Sequence, residues 1–167
     1  MIQRDLVVIA HDLRSTHNVG SLLRTCEGLG IAHVYLTGYT PYPTLPANDP
    51  RLPHISDKLT RQINKTALGA ESMVPWTHQE SVATCIEQLQ ADGYTIAALE
   101  QADDSIRLPD YRPPTKIALL VGREVEGIDA TLLKLCDIHL EIPMFGHKES
   151  FNVVQATAMA LYQLRFS

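Results

Sequence analysis

The chain has 167 residues, of which 45% are hydrophobic and 20% charged, and it carries a net charge of −5. That is enough apolar material for one core but too little length for two ordinary domains, so residues 1–167 are expected to form one domain. The composition excludes disorder, and no run approaches the roughly 18 apolar residues of a membrane span.

Asp5 to His11 reads as a buried strand. After a polar turn, Val19 to Leu29 places apolar residues at helical spacing and closes on Gly30; Ala32 to Leu36 is a second strand. Tyr39 to Pro53 holds five prolines and reads as an ordered excursion over the surface. Val82 to Leu89 is helical, Tyr94 to Leu99 is a strand, Pro109 to Pro114 is a connector, and Ile117 to Val121 is an almost wholly apolar strand. A short helix from Thr131 to Leu135, capped by Asp129, precedes a strand from Ile138 to Ile142. A loop through Pro143 and Gly146 then leads to a last helix from Asn152 to Leu164. This alternation predicts an α/β fold, a mostly parallel sheet with helices on both faces.

Met1 to Asp5 runs straight into the first strand, without the layout of a cleavable leader, which gives a cytoplasmic expectation. Cys26, Cys85 and Cys136 are odd in number, far apart and set among apolar residues, as reduced core thiols are. The acidic balance argues against nucleic acid, yet Arg14, Arg24, Lys58, Arg61, Lys65, Arg123 and Lys148 fall in or near expected loops and helix starts. They form either one basic face or a solvated scatter, and the sequence leaves both open.

The common nucleotide signatures fail. No Gly-x-Gly-x-x-Gly follows the first strand; Gly122 and Gly127 have phosphate-loop spacing, but Ile128 and Asp129 stand where Lys and Ser or Thr belong. The seven histidines include no tight ligand spacing, so no metal is expected.

Three polar clusters remain, each where a strand's C-terminal end meets a helix or loop, the place where open parallel sheets bind ligands. The first runs from His17 to Arg24: Asn18 serves a helix cap or a ligand, Gly20 serves close packing, and Arg24 enters an otherwise apolar helix and needs a partner. The second, Val121 to Gly127, brings glycines for close backbone approach and Glu124 for a cation. The third, Ile142 to Val153, taken alone is a Pro and Gly turn before a helix capped by Asn152, with Gln155 completing a capping box.

The order of the three clusters resembles the SpoU or TrmH group of SPOUT RNA methyltransferases over nearly the whole chain. Asn18, Gly20 and Arg24 match its first motif, Gly122 and Glu124 its second, and Ile142, Pro143, Met144, Gly146, Ser150, Asn152 and Val153 its third. Lys65 to Trp76 and Ala98 to Gln101 are similar to the intervening family segments; Phe151, where Leu is commoner, and the Tyr39 to Pro53 excursion depart from them.

The resemblance implies a SPOUT-type fold with a C-terminal trefoil knot, S-adenosylmethionine as cofactor, a homodimer joined through the knot region, and methyl transfer to a ribose 2′-oxygen. It implies cofactor contacts from Leu99, Gly122, Ile142, Met144, Gly146, Ser150 and Asn152, and a catalytic group of Arg24, Asn18, Glu124 and Asn152, in which Glu124 holds Arg24 or the substrate. Arg24 acts either as a base together with an RNA phosphate or, more easily for so high a pKa, as a stabiliser of the emerging oxyanion. No separate RNA-binding domain precedes the first motif, which favours tRNA over rRNA. A non-catalytic dimeric RNA-binding module of the same fold is the rival reading.

Overall fold

The apolar runs become the centre of a seven-stranded, all-parallel sheet in a computed structural model that describes residues 4–167. Met1 to Gln3, part of the segment considered as a leader, lie outside the described residues. In chain order the elements are β1 (Asp5–His11), α1 (Thr16–Gly28), β2 (His33–Thr37), α2 (Pro53–Ala67), β3 (Trp76–Gln79), α3 (Val82–Ala91), β4 (Thr95–Leu99), β5 (Ile106–Arg107), β6 (Lys116–Val121), α4 (Ala130–Leu133), β7 (Ile138–Glu141) and α5 (Val153–Phe166). Across the sheet the order is β3-β2-β1-β6-β4-β7-β5.

Alternate strand residues feed two cores, as a strand's two-residue period requires. Leu6, Val8 and Ala10 of β1 join Ile117, Leu119 and Val121 of β6 under α1, α2 and α5. Val7 and Ile9 join Ala118, Leu120, Ile96 and Ala98 under α3 and α4. Being covered on both faces, β1 and β6 need apolar residues at every position, which is why their sequences read as unbroken hydrophobic runs.

The chain leaves β7, next to the β5 edge, and doubles back to lay α5 against α1 and β6, the kind of return that a C-terminal knot needs. Among the described residues no helix is long and apolar enough to cross a membrane. Cys26, Cys85 and Cys136 are free; burial pushes the thiol of Cys26 far up and those of Cys85 and Cys136 to about 12, so none is a nucleophile at neutral pH.

Several boundaries differ from expectation for identifiable reasons. α1 begins three residues early because Ser15, whose Oγ accepts from the Asn18 amide at 3.2 Å, is its cap. The capping role considered for Asn18 is therefore filled by Ser15. The proline-rich excursion opens directly into α2, which starts with Pro53 and buries only Ser56, Ile63 and Ala67. Asn152 does cap α5, its Oδ1 accepting from the Val154 amide at 2.9 Å, but among the described residues Gln155 returns no bond to it.

Candidate active site

Neighbouring strands β1 and β6 send their chains to opposite faces, β1 to α1 and β6 to α4. The crevice that opens between two such strand ends is where parallel sheets present ligands. Glu124 closes it. Its Oε1 accepts from the backbone amides of Arg14 and Ser15, each at 3.2 Å, and from Asn18 Nδ2 at 3.1 Å. Asn18 Oδ1 in turn accepts from Asn152 Nδ2 at 3.4 Å. One residue from each of the three clusters thus joins a single chain of hydrogen bonds, although Asn18 lies more than a hundred positions from both Glu124 and Asn152. Burial raises the Glu124 carboxyl, but the bonds from Asn18 and the surrounding amides outweigh it and leave the pKa below its ordinary value. At neutral pH this node carries a fixed negative charge.

The segment carrying Glu124 is a tight loop pinned at its neck. Arg123 and Gly127 exchange backbone bonds of 3.3 and 3.1 Å. Gly127 sits at φ +67°, and a Cβ there would strike the Glu100 carboxylate; a Cβ on Gly122 would overlap the Gly127 carbonyl. Glu100, at the end of β4, accepts from the Ile128 amide at 2.9 Å and the Gln101 amide at 3.0 Å, so it buttresses this loop from below.

Beside the node lies a cleft that is open to solvent. Leu99, Val121, Leu140, Ile142, Met144, Val153 and Ala156 form an apolar bed. Around them stand Glu100, Glu124, Glu126, Glu141 and Glu149, with Arg123 as the basic member of the lining. Such a lining repels polyphosphates and suits a ligand with a flat apolar body and positive charge.

Five of the expected cofactor residues, Leu99, Gly122, Ile142, Met144 and Ser150, line this cleft. Gly146 and Asn152 do not: Gly146 is exposed on the loop before α5, and Asn152 stands in the hydrogen-bond chain just described. Gly20 lies against the backbone of α2 at Ile63, where a Cβ would not fit, so close helix packing accounts for it. Arg24 is exposed on α1, and the ion pairs of the described arginines fall on Arg14, Arg51, Arg107 and Arg123 instead. The Glu124 carboxylate is occupied by Asn18 and the Arg14 to Ser15 backbone rather than by Arg24. Sequence reasoning gave Glu100 no role in the site and named Arg123 only as a member of a possible basic face. A carboxylate directly after an apolar strand was the one signal for Glu100. Among the described residues no group of three His, Cys, Asp or Glu is placed to hold a metal.

The sequence profile of the SpoU rRNA Methylase family matches residues 5–162. The chain belongs to that family. A protein of Staphylococcus haemolyticus named as a TrmH family tRNA/rRNA methyltransferase is 29% identical over 158 residues, covering 95% of this chain and 57% of the relative. A tRNA (guanosine(18)-2′-O)-methyltransferase of Mus musculus is 33% identical over 160 residues, covering 95% of this chain and 9% of the relative. The chain therefore spans little more than half of the first relative and a small part of the second. In structure it is similar to an AdoMet-bound rRNA methyltransferase of Sinorhizobium meliloti, with a TM-score of 0.81 and 22% identity over 96% of this chain and 56% of that one. It is also similar to a TrmH/SpoU tRNA modifying enzyme of A. aeolicus, with a TM-score of 0.79 and 21% identity over 98% and 75% of the two chains. These likenesses establish the SpoU-type fold expected from the motif order.

Proposed function

We propose that residues 1–167 form one cytoplasmic methyltransferase domain that moves a methyl group from S-adenosylmethionine to a ribose 2′-oxygen of RNA, with tRNA favoured over rRNA. The observation that carries the reading is the composition of the cleft: an apolar bed ringed by five glutamates suits an adenosine whose tail bears sulfonium and ammonium charges, and suits a nucleoside polyphosphate poorly. Family membership and the activities named for the mouse and S. meliloti relatives point the same way.

In this reading Leu99, Ile142 and Met144 pack on the adenine, Gly122 lets the backbone approach it, and Ser150 and Gly146 contribute from the loop that covers it. When bound, the cofactor supplies an electrophilic methyl group. Asn18 and Asn152, oriented by Glu124, hold the acceptor ribose at the cleft mouth. Arg24, exposed and uncommitted, meets the RNA and stabilises the charge that grows on the acceptor oxygen. The exposed residues Lys58, Arg61 and Lys65 recur at spacings of three and four along α2, giving one basic stripe for the RNA backbone beside α1. Met159, Tyr162 and Phe166 are 38%, 61% and 51% exposed on one face of α5 and supply the apolar seam of a homodimer.

Isothermal titration with S-adenosylmethionine, followed by transfer of labelled methyl to bulk tRNA and rRNA, tests the proposal. Binding with label entering RNA ribose is the expected result. RNA binding without label transfer would establish the non-catalytic module instead. Arg24→Ala should lower turnover by about 10²- to 10³-fold, the scale of one lost oxyanion stabiliser, with cofactor affinity near normal. Full activity in that variant would remove Arg24 from the mechanism.

A further inference from the structure

A second cleft opens on the other side of the Asp12 to Ser15 turn, at the ends of β1, β2 and β3. It is open to solvent and is lined by His11, Asp12, Tyr39, Thr40, Tyr42, His78 and Glu80, among others. The turn is a shared wall. Asp12 faces the second cleft, while the amides of Arg14 and Ser15 bind Glu124 on the first. Arg123, which lines the first cleft, comes within 3.9 Å of Asp12 Oδ2, and its Nε is buried without a hydrogen-bond partner. The two clefts therefore adjoin at the Asp12–Arg123 contact.

Three features define what the second cleft takes. First, Tyr39 is 90% exposed, yet its backbone is fixed: the amide donates to Asp12 Oδ1 at 2.8 Å, and Gly38 before it turns at φ +62°. Asp12 itself is held at φ +54°, a strained setting for a residue with a side chain. An aromatic side chain on a fixed backbone is thus presented to solvent. Second, the other aromatic of the wall is already used, because Tyr42 is sandwiched between His78 at 4.0 Å and the Arg51 guanidinium at 3.6 Å. Third, free positive charge is lacking inside. Arg51 is spent on Asp49 and on the carbonyls of Tyr42 and Pro43, and burial holds the His11 imidazole below its ordinary pKa against the pull of Asp12. With Asp12 and Glu80 present, a phosphate is disfavoured, and a ligand edge bearing N–H donors is favoured.

We propose that this cleft receives one unstacked nucleobase of the RNA substrate, at or next to the methylated nucleotide, stacked on Tyr39 with its N–H edge toward Asp12 and Glu80. Splayed bases are recognised in this manner, by an aromatic face and by hydrogen bonds to their edges. The Arg123 guanidinium, at the join of the clefts, meets the sugar-phosphate that links this base to the acceptor ribose. The inference rests on the RNA reading above and adds to it where one base is held.

Bulk tRNA is the probe. Tyr39→Ala should weaken tRNA binding, measured by filter retention, roughly 5- to 150-fold, the range covered by loss of one base-stacking partner. Tyr39→Phe should keep it, and titration should show unchanged affinity for S-adenosylmethionine in both. Irradiation of the wild-type complex at a wavelength absorbed by the bases, with mass mapping of the adducts, should place a nucleotide on Tyr39. Wild-type affinity in Tyr39→Ala, or adducts confined to other peptides, would overturn the proposal even if methyl transfer is intact. A protein that binds tRNA through Tyr39 but transfers no methyl would uphold the base site and sink the enzymatic reading alone.

Discussion

Two proline-bearing connectors leave the C-terminal ends of parallel strands and are built in opposite ways. Gly38 to Leu52, after β2, is bonded throughout: Arg51 donates to the carbonyl of Tyr42 at 2.7 Å and of Pro43 at 3.0 Å, and it pairs with Asp49 at 2.6 Å. Asp49 in turn accepts the amides of Leu45 and Arg51, and the Thr44 amide is anchored on Thr60 of α2. Ile142 to Phe151, after β7, has little of this. Among the described residues, Pro143 to Lys148 contribute no loop or side-chain hydrogen bond, and the bond from Gln101 Nε2 to the Glu149 carbonyl, at 3.1 Å, is its tie to the rest. The first loop has met the entropy cost of order during folding; the second leaves that cost to be offset by whatever binds beneath it. A wall that must present one ring in one place belongs to the first kind, and a rim that must admit and release a small molecule belongs to the second.

The largest expected effect comes from removing the staple of the wall. Arg51→Ala leaves the Tyr42 and Pro43 carbonyls without their donor and the Asp49 carboxylate with only the Leu45 and residue-51 amides, and the Tm should fall by roughly 5 to 10 °C, followed by circular dichroism. The pH dependence follows from the same pair. Hydrogen bonds from Arg51 hold the Asp49 carboxyl well below its ordinary value of 3.8. The stabilisation is therefore complete above that value and is lost as pH falls through the depressed one, so the variant should lose less stability in acid than the wild type. An unchanged Tm would mean that the wall stands without Arg51, and the contrast between the loops would fail.

The next effect tests the rim. With S-adenosylmethionine bound, amide exchange over residues 144–149 should slow by about tenfold or more, while residues 42–49 stay as they were. Equal protection of both segments, or protection of the wall alone, would contradict the division of roles.

The same contrast explains how much was legible in the sequence. β1 and β6 announce themselves because burial on both faces demands an unbroken apolar run, and the ordered motifs identify the cleft through Gly122, Ile142 and Met144. α2 escaped because it is polar overall and follows directly on the proline-rich excursion: Ile63 and Ala67 are its buried apolar residues, set among charged and polar neighbours. β3, with the sequence Trp-Thr-His-Gln, is an edge strand with no fully buried face to reveal it. The Glu124 to Asn18 to Asn152 chain joins residues 106 and 134 positions apart. No local pattern encodes such a juxtaposition; sequence order could nominate its members but not say that Glu124 would take Asn18 instead of Arg24.

The smallest effect is the most discriminating for the rim. Phe145 is 94% exposed, so its ring buries nothing in the folded chain, and Phe145→Ser should shift the urea midpoint by no more than about 0.5 kcal/mol equivalent. A large aromatic left in water on an otherwise unbonded loop gains a contact only when the loop closes over a ligand. Affinity for S-adenosylmethionine should therefore fall severalfold in the variant while stability holds. A destabilised variant would show that the rim already packs against the protein before anything binds, and the two connectors would then differ in bonding but not in order.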